Sequence, residues 1–202
     1  MIAQVLGVAG NLTRPSKTRA LVEALVDRVA EVHDLSGAVV DIPDFGPSLG
    51  AANRIDELAA GSKQLLDRIV AADALVVASP VYKGSYTGLF KHLFDLVEPT
   101  ALRGKPVLLA ATGGGDRHAL VIEHQLRPLF GFFEAATLAT GVYAAERDFA
   151  DGAPASPALL ERIDRAVDQL ARQFGARRPG RVGAQGSAGP GPAVMAASPP
   201  VI

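Results

Sequence analysis

Three short segments of this chain set polar and flexible residues at the ends of apolar runs, where they would meet a ligand. The first reads Gly10-Asn11-Leu12-Thr13-Arg14-Pro15-Ser16-Lys17-Thr18 and leads into a helical pattern. It brings together Asn11, the hydroxyls of Thr13, Ser16 and Thr18, the cations Arg14 and Lys17, and the free N–H groups of a helix N-terminus. That combination suits a phosphate monoester. The spacing is neither Gly-x-Gly-x-x-Gly nor a Walker loop. The plainer alternative is that Ser16 only caps the helix and the cations are solvated. The second segment, Pro80-Val81-Tyr82-Lys83-Gly84-Ser85, turns a buried strand into an amphipathic helix. Its plainer alternative is a tight turn with an exposed Tyr82. In the third, Thr112-Gly113-Gly114-Gly115-Asp116-Arg117-His118, consecutive glycines let backbone approach a flat ligand closely, or merely make a flexible turn.

The elements that must position these segments follow from periodicity. Residues 2–8 form an apolar opening strand, followed by a helix with Leu21, Ala24, Leu25, Val29 and Val32 on one face. A second strand spans 39–42, and a loop rich in Pro, Gly and Asp spans 43–50. A helix over 55–72 carries Leu58, Leu65, Leu66, Ile69 and Val70. The almost unbroken apolar run 71–79 reads as a strand covered on both faces and ended by Pro80. Tyr86, Leu89, Phe90, Leu93, Phe94 and Val97 then trace a helix with Ser85 as its N-cap. A fourth strand is expected over 106–111, a helix over 119–134 and a fifth strand over 137–142. Ser156-Pro157 opens a last helix that runs through Leu160, Ile163, Val167, Leu170 and Phe174 to Gly175. Such alternation requires right-handed crossovers, hence an α/β fold: a flavodoxin-like, doubly wound, five-stranded parallel sheet of order 2-1-3-4-5 with helices on both faces. Strands 1, 3 and 4 are adjacent in that order. The three segments therefore converge on one crevice at the carboxyl ends of the strands.

Composition narrows the function classes. With 202 residues, 49% of them hydrophobic, the chain can bury one full core. Its net charge of −1 supplies no field to attract nucleic acid or an anionic membrane. The absence of cysteine excludes disulfides, Cys-zinc sites and thiol catalysis together. No basic n-region precedes the opening strand and no apolar run is long enough to span a bilayer, so the chain reads as cytoplasmic. Residues 1–175 read as one domain. From 176 to 202 the chain turns to Gly, Pro, Ala and Ser with arginines and no acids, and a disordered tail is expected there.

The loop with Ser16 and Thr18, the segment Ser79-Pro80-Val81-Tyr82-Lys83-Gly84-Ser85 leading to Leu89, Lys91 and Asp95, and the Thr112-Gly113-Gly114 turn resemble the NADPH-dependent FMN reductase family over residues 2–148. Within that span, 119–130, with Glu123-His124-Gln125-Leu126-Arg127-Pro128, is similar to the small reductases that supply reduced FMN to sulfonate monooxygenases. The resemblance implies FMN reduced by NADPH or NADH and a flavin-dependent monooxygenase as partner. It puts the first loop on the FMN phosphate, and 80–85 and 112–115 around the isoalloxazine ring. Hydride then passes from nicotinamide to flavin N5, with the protein supplying position and electrostatics. No side chain need act as acid or base. Backbone N–H groups around Gly113 and Gly114 would stabilise negative charge on the reduced ring, and Tyr82 would flank its face. His118 and His124 read as structural. His124 is a departure, since alkanesulfonate-linked relatives carry a tyrosine there, associated with a π-type bulge, whereas relatives of methanesulfonate pathways can carry histidine. An azo, quinone or chromate reductase would share the same loops. A flavodoxin-type electron carrier is the other class, disfavoured by the near-neutral charge. The plainest alternative is an α/β domain without flavin.

The helix over 119–134 carries two apolar stripes. Leu126, Leu129 and Phe133 can face the sheet, while Val121, Pro128 and Phe132 lie on an adjoining stripe. A homodimer or homotetramer through this helix is expected, and the resemblance points the same way. Pro128 also removes the hydrogen bond to the carbonyl of His124, so a bend or bulge is expected there.

Overall fold

The structure, a computed structural model, describes residues 4–177. Past residue 177, the expected disordered segment lies outside the described residues. The order of elements is β1 (Gln4–Ala9), α1 (Lys17–His33), β2 (Ser36–Asp41), α2 (Ser48–Ala51), α3 (Ala60–Ala71), β3 (Ala74–Pro80), α4 (Gly88–Asp95) and β4 (Pro106–Gly113). A π-helical turn, Ile122–Leu126, runs into α5 (Arg127–Phe132), followed by β5 (Ala136–Thr137), β6 (Val142–Ala145), the hairpin β7 (Phe149–Ala150) and β8 (Ala153–Pro154), and α6 (Pro157–Arg177). The sheet is parallel with order β2-β1-β3-β4-β5, and β6 also pairs with β4. Val8 lies beside Val77, and Val77 beside Leu109, so the central strands are aligned and their carboxyl ends form one edge.

Two helical layers explain why the central strands read as continuous apolar runs. Leu75, Val77, Val107 and Leu109 pack with Leu66 and Ile69 of α3, Phe90 and Phe94 of α4, and Phe130 of α5. Val76, Ala78, Leu108 and Ala110 pack with Leu21 and Leu25 of α1 and with Ile163 and Val167 of α6. Phe94 is held edge-on against Phe90 at 5.0 Å and Phe130 at 4.9 Å, contacts that add about 0.5–1.5 kcal/mol each beyond area burial.

Four expectations change. The fifth strand is split, because β5 and β6 each pair with β4 while Thr140 and Gly141 between them bond to α6 instead. Thr140 N donates to Gln169 Oε1 at 2.9 Å, and Arg162 Nε donates to Gly141 O at 2.6 Å. The helix expected over 55–72 begins at Ala60, since Leu58 is extended after a 3-10 turn, Ile55–Glu57. Ser85 is not the cap of α4; Thr87 holds that position, and Ser85 is used in a turn. Finally, Val121 is buried with the core rather than on an outer stripe, while Phe132 is 67% exposed. The π turn explains this, with Arg127 N donating to Ile122 O. One extra residue in the turn rotates the preceding helix face by about 100°, carrying Val121 and Ile122 inward. His124 sits at the centre of this turn, beside the carbonyl that Pro128 leaves without its helical donor, where a bend or bulge is expected.

Candidate functional site

A cleft of about 520 Å³ opens at the carboxyl ends of β1, β3, β4 and β6, within the size range of small-molecule sites. It brings together Asn11, Thr13, Ser16, Lys17 and Thr18 from the first loop, Pro80, Val81 and Tyr82 from the second, and Thr112, Gly113 and Gly114 from the third. Arg14, Lys83, Gly84, Ser85 and Gly115 do not line it. Leu12, Pro15, Ala144, Glu146 and Phe149 do, although sequence reasoning missed them. The last three enter because β6 runs beside β4 and delivers a fourth loop to the same edge.

One end of the cleft is polar. Ser16 caps α1, its Oγ accepting from Arg19 N at 3.3 Å. Capping uses a lone pair and leaves the hydroxyl proton to be donated, so the capping and anion-binding roles are compatible. Thr18 Oγ1 lies 2.6 Å from Thr112 Oγ1 in a buried hydroxyl pair that ties α1 to β4. Lys17 Nζ lies 2.7 Å from Glu146 Oε1 and 5.9 Å from the centre of the Phe149 ring. Beside its own partner, Lys17, the Glu146 carboxyl lies below its ordinary range.

Arg14 turns away for an electrostatic reason. Asp41, wholly buried at the end of β2, accepts from Arg14 Nε at 2.8 Å and from Asn11 Nδ2 at 3.0 Å, with Arg19 Nη1 at 3.1 Å. A second Arg14 nitrogen bonds both Asp41 and Asp44. Burial pushes the Asp41 carboxyl up, but the bonds from Arg14 and Asn11 and the nearby Arg19 guanidinium outweigh it and hold the pKa at about 2. Two arginines are thus matched by two aspartates, and neither arginine is left for the cleft. An aspartate inside the apolar run Val39-Val40-Asp41-Ile42 was the available signal.

The other end is lined by Pro80, Val81, Tyr82, Gly113 and Gly114. Tyr82 and Ser85 close a hairpin turn, Tyr82 N donating to Ser85 O at 2.8 Å and Ser85 N to Tyr82 O at 3.2 Å. Lys83 and Gly84 take φ of 52° and 86°, the left-handed pair such a two-residue turn requires. This geometry sends Lys83 and Gly84 outward, leaves Tyr82 half exposed at the mouth, and directs Ser85 Oγ to Gln125 Oε1 at 3.1 Å. Thr87 joins the first two loops, its N donating to Ser79 Oγ at 3.1 Å and its Oγ1 to Gly10 O at 2.8 Å. In the third loop, a Cβ on Gly113 would sit 2.2 Å from Tyr143 Oη. Tyr143 instead donates to Gly115 O at 2.6 Å, drawing that residue off the cleft. Burial, with Asp116 adding to it, raises the phenol pKa and keeps this donor protonated.

A flavin mononucleotide fits this set of groups. Hydroxyls and an ammonium line it where α1 begins, and Gly113 and Gly114 line it with Pro80, Val81 and Tyr82 where β3 and β4 end. Asn11 Oδ1 is buried in the lining with no hydrogen-bond partner among the described residues, an acceptor suited to a sugar-alcohol hydroxyl.

Comparison with known proteins gives the same answer. The family model for NADPH-dependent FMN reductases matches residues 3–150. An FMN reductase (NADPH) of Pseudomonas aeruginosa is 48% identical over 174 residues, covering 86% of this chain and 94% of its own. An NADH-dependent FMN reductase, SfnF, of Pseudomonas fluorescens is 48% identical over 172 residues, covering 85% and 92%. Among solved structures, an oxidoreductase from Corynebacterium diphtheriae superposes with a TM-score of 0.75 at 33% identity, covering 88% of this chain and 99% of its own. The apo form of an NADH:FMN oxidoreductase, EMOB, gives 0.76 at 28% identity, with 84% and 89% covered.

Proposed function

For a chain that belongs to the NADPH-dependent FMN reductase family, we propose that the cleft at the carboxyl edge of the sheet is where FMN is held and reduced. The protein is an NAD(P)H-dependent FMN reductase. What carries the assignment of the site is one continuous cleft, lined by hydroxyls and Lys17 where α1 begins and by Pro80, Val81, Tyr82 and two glycines where β3 and β4 end.

Ser16 and Thr13 would donate hydroxyl protons to the phosphate, Thr18 would add its own when Thr112 donates to it, and Lys17 would supply the positive charge. The N-terminus of α1, a 17-residue helix, adds its free N–H groups and dipole. When bound, FMN supplies N5 as the hydride acceptor, and the nicotinamide supplies the hydride. Pro80, Val81 and Tyr82 would exclude water from one side of the ring. Backbone N–H groups at Gly113 and Gly114, in the lining at the end of β4, would stabilise negative charge on the reduced ring. Lys17, Glu146 and Tyr82 stand exposed at the rim, which supports release of reduced FMN to a flavin-dependent monooxygenase.

A second copy of the chain is the proposed partner of the outer face of α5. Phe132, 67% exposed, lines a groove of about 510 Å³ with Tyr86, Phe94, Leu129 and Phe133, and Lys91, Asp95 and Glu98 line the same groove. A homodimer or homotetramer would cover it.

The reductase reading is tested by mixing purified protein anaerobically with FMN and either NADH or NADPH. Protein-dependent loss of flavin absorbance is expected, with FMN bound at least about 10-fold more tightly than riboflavin through the phosphate contacts. No bleaching with either nucleotide would refute the activity. Equal affinity for the two flavins would refute the phosphate assignment.

A further inference from the structure

Lys17 faces a competition for its charge. Its ammonium lies 2.7 Å from Glu146 Oε1, and both side chains line the cleft at the end where α1 begins. Among the described residues it is the one basic side chain in that lining, because Arg14 and Arg19 are held by Asp41 and Asp44. Glu146 is well placed to compete and to yield. Its backbone is anchored in a 3-10 turn, Glu146–Asp148, where Ala145 N donates to Asp148 Oδ2 at 2.8 Å and Arg147 clamps Asp116 at 2.6 and 2.7 Å. Its side chain, by contrast, is 72% exposed and can swing into solvent without disturbing the core.

We propose that Glu146 sets the affinity of the cleft for phosphate-bearing flavin by competing with the phosphate monoester for Lys17, so that FMN exchanges rather than stays bound. This rests on the reading of the cleft as the FMN site. One ammonium cannot neutralise both a carboxylate and a phosphate dianion. A phosphate that takes Lys17 breaks the existing pair and leaves the carboxylate close to a second anion or sends it into water. Because the pair is exposed, the effect is modest and weakens with salt. Riboflavin lacks the phosphate and escapes the competition.

The test is equilibrium titration of FMN and of riboflavin, followed by quenching of flavin fluorescence, against wild type, Glu146→Gln and Glu146→Ala at low and physiological salt. Both variants are expected to bind FMN about 3- to 10-fold more tightly than wild type, with the gain shrinking as salt rises. Riboflavin binding should stay within about 2-fold, and in a Lys17→Ala background Glu146→Gln should tighten FMN by clearly less than in wild type, since only direct carboxylate–phosphate repulsion remains to be relieved. Unchanged or weaker FMN binding in both variants would overturn the proposal, and so would parallel tightening of riboflavin, which would mean that Glu146 acts on the ring or by bulk. A wild-type protein that binds no FMN would instead overturn the site on which the proposal rests. Melting temperatures of the variants confirm that folded proteins are being compared.

Discussion

Asp41→Asn is the substitution that most directly tests how the first loop is held. Asp41 is wholly buried and accepts from Arg14 and Asn11, with Arg19 at ion-pair distance. Removing one partner of a buried ion pair costs about 3–5 kcal/mol, but Arg14 and Arg19 both reach solvent, so about 2–3 kcal/mol is expected here. The titration of Asp41 gives an independent figure. A carboxylate that moves from 3.8 unfolded to about 2 folded contributes about 2 kcal/mol near neutral pH. Because the folded pKa is the lower one, that contribution is complete above the unfolded value and is lost as pH falls through the folded value. The wild-type advantage should therefore be about 2 kcal/mol at pH 7, about half that at pH 3, and close to zero at pH 2. Any constant residue reports the asparagine N–H groups now facing a guanidinium. Urea unfolding of both proteins across this range measures it, other carboxylates cancelling in the difference. FMN affinity should fall about 10-fold, since Asn11 donates to both Asp41 and Thr13 O and would lose half of its anchor. A difference below about 0.5 kcal/mol at pH 7, or one that stays flat down to pH 3, would refute the account of Asp41 as the loop's organiser.

Gly113→Ala places a Cβ where Tyr143 Oη now sits, so the phenol must leave Gly115 O; stability should drop by about 1–3 kcal/mol and FMN affinity by about 10-fold. Denaturant titration and flavin binding check this, and near-wild-type values in both would show that the ring moves freely. Phe132→Glu adds a charge to a side chain already 67% exposed, so the monomer's stability should change by less than about 0.5 kcal/mol while sedimentation shifts toward smaller species. Wild type that already sediments as a monomer at micromolar concentration would refute the subunit contact.

The sheet was legible because its central strands are buried on both faces. Residues 71–79 and 106–111 show no polar alternation, which only a covered parallel sheet tolerates, and the alternation with helices then leaves few topologies. Ser16 as a cap was equally legible, since capping is a contact between residues three apart. A bend or bulge at His124 is expected from the missing N–H of Pro128, and a π turn is centred there. Each of these is set by covalent neighbours or by burial averaged along one element. The remaining features depend on which strand ends lie side by side. Arg14 looked available until β2, paired in parallel with β1, brought Asp41 against it from 27 residues away. Ser85 looked like a cap until Thr87 bonded across to Ser79 and Gly10. Glu146 and Phe149 joined the cleft only through the register of β6 on β4. Local pattern determined where strands, helices and ligand-type loops occur; tertiary register decided which charges within those loops are cancelled and which reach the cleft, because charge pairing acts through space and carries no period along the chain.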